Sequence, residues 1–130
     1  MSTKVFINLP VRDLAKSTAF YEAFGFQRNP EYSDETAACI VISDTIYVML
    51  LTHQKFAQFT PKTIVDASKA TEVLTAISVD SREEVDEFFH KAIAAGGSDV
   101  REPEDLGFMY GRAFNDPDGH IWEIFWMKEA

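Results

Sequence analysis

Few side chains in this sequence are equipped for chemistry, and they are scattered. They are one cysteine (Cys39), three histidines (His53, His90 and His120) and a carboxylate, Glu123, set inside the apolar run HIWEIFWM. Charge in a stretch built for a core is costly unless it is paired or bound to metal, so Glu123 invites a role: metal ligand, general base or ion-pair partner. Cys39 lies in the apolar run AACIVIS and reads as a small core residue. As the only cysteine it excludes an intramolecular disulfide and a cysteine-based zinc site. His90 sits between Glu87 and Lys91 on a helical stretch and reads as a solvated surface group. His120 follows the turn DPDG, at odd spacing from Glu123, which puts the two on opposite faces of a regular strand. His53 lies beyond an apolar strand, near the junction of the chain's two halves, and is placed to reach a cavity mouth. No nucleophile elbow, phosphate loop or Cys/His pair is present, and the DPDG carboxylates lack the spacing of a calcium loop.

The two-residue period of a strand sorts the last apolar run. Ile121, Glu123 and Phe125 share one face, and Trp122, Ile124 and Trp126 share the other. A carboxylate among apolar neighbours has two options: keep its proton, because desolvation penalises the anion, or stay ionised beside a positive or hydrogen-bonding partner. Arg112 is the cationic candidate, with Tyr110 and Asn8 as donors. In EDLGFMYGRAF, Phe108, Tyr110 and Arg112 alternate, and an aromatic-plus-arginine face suits planar or anionic ligands. The same pattern also describes a well-packed strand near a sheet edge. Pocket lining is the expectation.

The elements that must position these residues are legible in outline. Residues 4–10 predict a strand. Asp13 caps a helix that buries Leu14, Tyr21 and Phe24 and stops at Gly25. Residues 26–31 predict a second strand, and TAACIVIS and IYVMLLT form two more around a turn at Asp44-Thr45. An irregular link over 53–70 includes a short helix near 54–59. TEVLTAISVD is the next strand. Ser81 and Glu84 form a capping box for a helix that buries Val85, Phe89 and Ala92 and ends at Gly96-Gly97. SDVREP, FMYGRAF and HIWEIFWM complete the set as three strands.

Strand, helix and three strands therefore occur twice. A shift of 68 residues superposes Val11 on Val79, Asp13 on Ser81, Phe20 on Phe88 and Tyr21 on Phe89. The expected fold is one α+β domain over 1–130, built from two βαβββ modules at about 1–60 and 71–130.

Composition narrows the partners. The chain has 130 residues, 46% hydrophobic and 13% aromatic, with eleven phenylalanines, which is ample for a core. The net charge of −9 leaves no basic surface to displace counterions from phosphate, so no nucleic-acid or anionic-membrane partner is expected. No signal-like or membrane-spanning run is visible, and a cytoplasmic protein is the expectation.

The opening NLPVRDLAKSTAFYEAFGF, taken with the closing DPDGHIWEIFW, resembles the vicinal oxygen chelate superfamily of glyoxalase I, extradiol dioxygenases and bleomycin-resistance proteins. The resemblance covers nearly the whole chain and implies paired βαβββ modules around a cavity, often in a homodimer. Metal-dependent members carry ligands on the first and last strand of each module, positions that fall here on Phe6, Leu50, Leu74 and Glu123. Three are apolar, whereas a transition metal wants roughly three or more N or O donors. The resemblance also implies that the Glu123 face looks into the cavity, with Phe6, Asn8, Val48, Leu50, Leu74, Ala76 and Ser78 as further lining and the tryptophan face packed beneath the helices.

These features predict a glyoxalase-like protein that binds a small organic molecule in an apolar cavity through Phe6, Asn8, Leu50, Leu74, Tyr110, Arg112 and Glu123. Glu123 is its anchor or general base, and no metal or other cofactor is expected. The rival reading is a divalent-metal-dependent lyase or dioxygenase with displaced ligands, His53 and Glu123 among them. A third is an interaction module whose cavity is filled by phenylalanine.

Overall fold

In the computed structural model the elements run in chain order as follows. The first half has strand β1 (Val5–Val11), helix α1 (Leu14–Glu22), β2 (Gln27–Asn29), β3 (Ala37–Val41), β4 (Ile46–Thr52) and the short helix α2 (His53–Phe56). The second has β5 (Thr75–Ser78), α3 (Arg82–Ala94), the two-residue strands β6 (Ser98–Asp99) and β7 (Glu104–Asp105), β8 (Met109–Asn115) and β9 (Ile121–Met127). The structure describes residues 3–129, so the ends of the expected domain range, residues 1–2 and 130, lie outside it. The chain divides into two compact units, Met1–Val65 and Asp66–Ala130.

Asp13 and Ser81 start the two long helices in the same way. Each is extended, and each side chain accepts the N–H three residues on, Lys16 at 3.0 Å and Glu84 at 3.1 Å. The helices begin at Leu14 and Arg82, the 68-residue offset of the sequence repeat. Gly25 and Gly96, just beyond the helix ends, hold φ of +92° and +110°, the left-handed conformation that glycine takes without penalty.

In the first unit the sheet order is β1-β4-β3-β2, with β1 parallel to β4 and the other pairs antiparallel. The face beneath α1 carries Leu9 and Val11 from β1, Val48 and Leu50 from β4, and Ile40 from β3, against Phe20 and Tyr21 of the helix. Phe20, absent from the expected face of Leu14, Tyr21 and Phe24, is 1% exposed and meets Tyr21 and Phe24 edge-on. Cys39 is fully buried and desolvation raises its thiol pKa, in keeping with a core role.

The second unit repeats the plan with the order β5-β9-β8-β6, and β7 also pairs with β8. Val85, Phe89 and Ala92 of α3 are buried, as the helical spacing predicts, against the sheet face of Phe114, Trp122 and Ile124. Phe88 stacks on Phe114 with ring centroids 6.1 Å apart. The expected strand SDVREP is interrupted: β6 and β7 pair with opposite ends of β8, and residues 100–103 bulge between them. Pro103 lacks an N–H for the ladder, which accounts for the break. The segment 26–31 shortens to β2 because Pro30 opens a 3-10 turn, and the helix expected near 54–59 is α2 plus a 3-10 turn at Ala57–Phe59. No helix among the described residues is long and apolar enough to cross a membrane.

Candidate functional site

Glu123 lies at the centre of β9, on the sheet face turned away from α3. The register aligns it with Ala76 of β5 and Ala113 of β8, and aligns its neighbour Phe125 with Ser78 and Gly111. Gly111 in turn faces Glu104 across the β7–β8 pair. Two rows result: Glu104, Gly111, Phe125 and Ser78, and beside it Ala113, Glu123 and Ala76. Small residues occupy the middle of the sheet, so a trough of about 260 Å³ opens above them, lined by Arg101, Glu104, Met109, Phe125 and Glu123 among others. Gly111 makes room for it, since a Cβ there would meet the Phe125 Cβ at 3.3 Å.

Arg101 rises from the bulge between β6 and β7 and donates to Glu123 Oε2 at 2.6 Å. Its side chain is 45% exposed and that of Glu123 is 26% exposed. The partner of the carboxylate is therefore Arg101, not Arg112. Arg112 aligns with Ile124 on the helix face, where its guanidinium lies 3.6 Å from the Phe89 ring centroid and 3.4 Å from Asp86 Oδ1. Its Nε is buried without a partner. Tyr110 also faces the helix and donates to Asp86 Oδ1 at 2.6 Å. Burial first, then that carboxylate, raises the phenol pKa. Both side chains pack the sheet onto α3, so most of the expected recognition face is part of the helix interface, and only Arg112 also borders the trough.

In the first unit, Phe6 and Asn8 lie on the sheet face opposite α1. Phe6 stacks on its cross-strand partner Tyr47 at 4.7 Å and is 49% exposed. Leu50 departs from expectation. It aligns with Leu9, faces α1 and is fully buried, as is Val48. The residue beside Asn8 is Met49. The pair Asn8–Met49 corresponds to Ala76–Glu123, because Asn8 and Ala76 are 68 residues apart. The fourth strand position is thus Met49, one residue before Leu50, and it too is apolar. Leu74 precedes β5 and is 54% exposed. His53 opens α2 and is exposed, His90 is exposed on α3, and the His120 N–H donates to Asp116 Oδ1 at 2.9 Å. Among the described residues no group of three or more His, Cys, Asp or Glu is placed to hold a metal ion. The donor set in the trough, Glu123 bound to a guanidinium and Glu104 on β7, falls short of the roughly three or more donors a transition metal wants.

The sequence model of the Glyoxalase/Bleomycin resistance protein/Dioxygenase superfamily matches residues 5–124. The chain belongs to this superfamily. Solved structures agree with the glyoxalase-like fold. A hypothetical protein from S. aureus, SA1046, is 33% identical, with 96% of this chain and 94% of that one covered and a TM-score of 0.80. A glyoxalase/bleomycin resistance protein/dioxygenase family enzyme from Burkholderia phytofirmans is 22% identical over 97% and 99%, with a TM-score of 0.79. The fosfomycin resistance protein FosX from Listeria monocytogenes is 23% identical over 100% and 94%, at 0.70. No protein of curated function matches the chain.

Sequence reasoning missed Arg101 and Glu104 in this glyoxalase-like trough. The available signal was Pro103, which forces the bulge that lifts Arg101 over the sheet. A second arginine fixes the far end of that segment. Arg82, at the start of α3, donates to both Asp105 oxygens at 2.9 and 3.0 Å and to the Gly107 carbonyl at 2.9 Å, and lies over the rings of Tyr110 and Trp126. The hydrogen bonds from Arg82, then the one from the Gly107 N–H, lower the Asp105 pKa from 3.8 to about 2. A depressed carboxylate stabilises the fold fully above its unfolded value, and that contribution is lost as pH falls from about 4 towards 2. Carboxyl-carbon NMR titration is expected to place the Asp105 midpoint near pH 2 and to return it towards 3.8 in Arg82→Met. An unchanged midpoint would remove Arg82 as the cause.

Proposed function

We propose that this superfamily member binds a small organic molecule in the trough of its second unit, with Glu123 as the polar anchor and without the divalent-metal centre of its metal-dependent relatives. The observation that carries this reading is the 2.6 Å Arg101–Glu123 pair above a floor of small residues. At the one candidate metal position that retains a donor, a guanidinium supplies the counter-charge. The setting, apolar walls with a few convergent polar groups, is that of a small-molecule site. Homodimeric assembly, which the family resemblance implies, and a cytoplasmic location are parts of the same proposal.

The test is a thermal-shift screen of small organic molecules in the presence of a chelator. A true ligand at a hundred times its Kd stabilises by about 2.7 kcal/mol. The expected hits survive chelation and disappear in Glu123→Leu. Stoichiometric divalent metal in freshly purified protein, lost in Glu123→Ala, would overturn the reading in favour of a metal-dependent lyase or dioxygenase.

A further inference from the structure

The charges around the trough are arranged for a particular head group. Arg101 spends a single N–H on Glu123 and makes no other hydrogen bond or ion pair among the described residues. A guanidinium has five N–H groups on two double-donor edges, and one bond from a terminal nitrogen leaves at least one edge whole. That edge is available for a carboxylate in the two-point geometry that arginine favours. Glu123 has its second oxygen unspent, and Glu104 makes no ion pair among the described residues. Glu104 is held on the same face by its alignment with Gly111. One cationic donor and two carboxylates thus surround a floor that bears almost no side chain, with Phe125 as the apolar wall.

A simple anion would meet Arg101 but also two carboxylates, and a simple cation would face the guanidinium. A molecule that carries both charged groups on one carbon satisfies all three. We infer that the trough seats the zwitterionic head of an apolar α-amino acid, with its carboxylate on Arg101, its ammonium between Glu123 and Glu104, and its side chain against Phe125. The inference rests on the reading of the trough as a ligand site and names the chemical class of that ligand. A volume of about 260 Å³ suits a metabolite of this size.

Three probes of one shape separate the terms: L-phenylalanine, 3-phenylpropionate, which lacks the ammonium, and phenethylamine, which lacks the carboxylate. Isothermal titration is expected to rank L-phenylalanine at least tenfold tighter than either. Arg101→Met is expected to bring it within about twofold of phenethylamine, and Glu104→Gln to narrow its lead over 3-phenylpropionate. Equal or tighter binding of 3-phenylpropionate overturns the inference in favour of a monoanion site, and of phenethylamine in favour of a cation site. Failure of all three, while the screen yields another Glu123-dependent ligand, overturns the inference and leaves the binding function intact. Failure of the probes and the screen together overturns both.

Discussion

Gly119→Ala is expected to cost about 3–4 kcal/mol and to lower the melting temperature by roughly 10–15 °C. Gly119 closes the DPDG turn at φ +97°, and its N–H donates to the Asp116 carbonyl at 3.0 Å. The Asp116 carboxylate gathers the N–H groups of Asp118 and His120 at 3.0 and 2.9 Å, so the turn is fixed from within. A Cβ at Gly119 would stand 2.7 Å from the Ser68 nitrogen and 2.8 Å from the Ala67 carbonyl. Those are main-chain atoms of a turn held by Asp66, whose carboxylate accepts from the Ser68 N–H at 3.0 Å and its hydroxyl at 2.6 Å. They cannot swing aside as a flexible side chain would. Two costs therefore add: a left-handed conformation for a residue with a side chain, about 1–3 kcal/mol, and overpacking of similar size. Gly25→Ala separates them, because Gly25 has φ +92° with no atom within 4 Å of a new Cβ. In urea unfolding of both variants it is expected to lose only about 1 kcal/mol. Equal losses at the two glycines would show that the packing of the DPDG turn contributes nothing.

The same turn shows what the sequence made legible. Turn residues, caps and helical faces are local signals, and Asp13, Ser81, Gly25 and the triad Val85, Phe89 and Ala92 stand where their spacing puts them. The repeat of strand, helix and further strands recurs in the element order of the two units. Leu50 failed for a physical reason. Both faces of β4 are apolar, with Val48 and Leu50 towards the helix and Met49 and Leu51 away from it, so alternation carries no information there. Only the pairing of Asn8 with Met49 settles the count. The expected pairing of Tyr110 and Arg112 with Glu123 failed because Asp86, the group that claims both, is more than twenty residues away on another element, although Arg112 still borders the trough. Arg101 was hidden in what reads as a continuous strand, and its meeting with Glu123 needs the bulge to lift it across β8.

β9 makes the separation of fold and site testable, because one strand serves both. Ile124 faces α3 and is fully buried, while the adjacent Glu123 faces the trough. Ile124→Ala removes three carbons from the packed face and is expected to cost about 2–5 kcal/mol in urea unfolding. Glu123→Ala loses only a partly exposed ion pair, and such pairs are worth about 0–1 kcal/mol. Its expected effect is the opposite one: near-normal stability with ligand-induced stabilisation abolished. Ile124→Ala should retain ligand affinity within a few-fold at temperatures where it stays folded, because the Glu123–Arg101 geometry is set by the sheet register and the bulge. A loss of several kcal/mol in Glu123→Ala would mean that the ion pair closes the sheet as structure. The carboxylate would then be a packing element, and the trough would lose its claim to be a binding site.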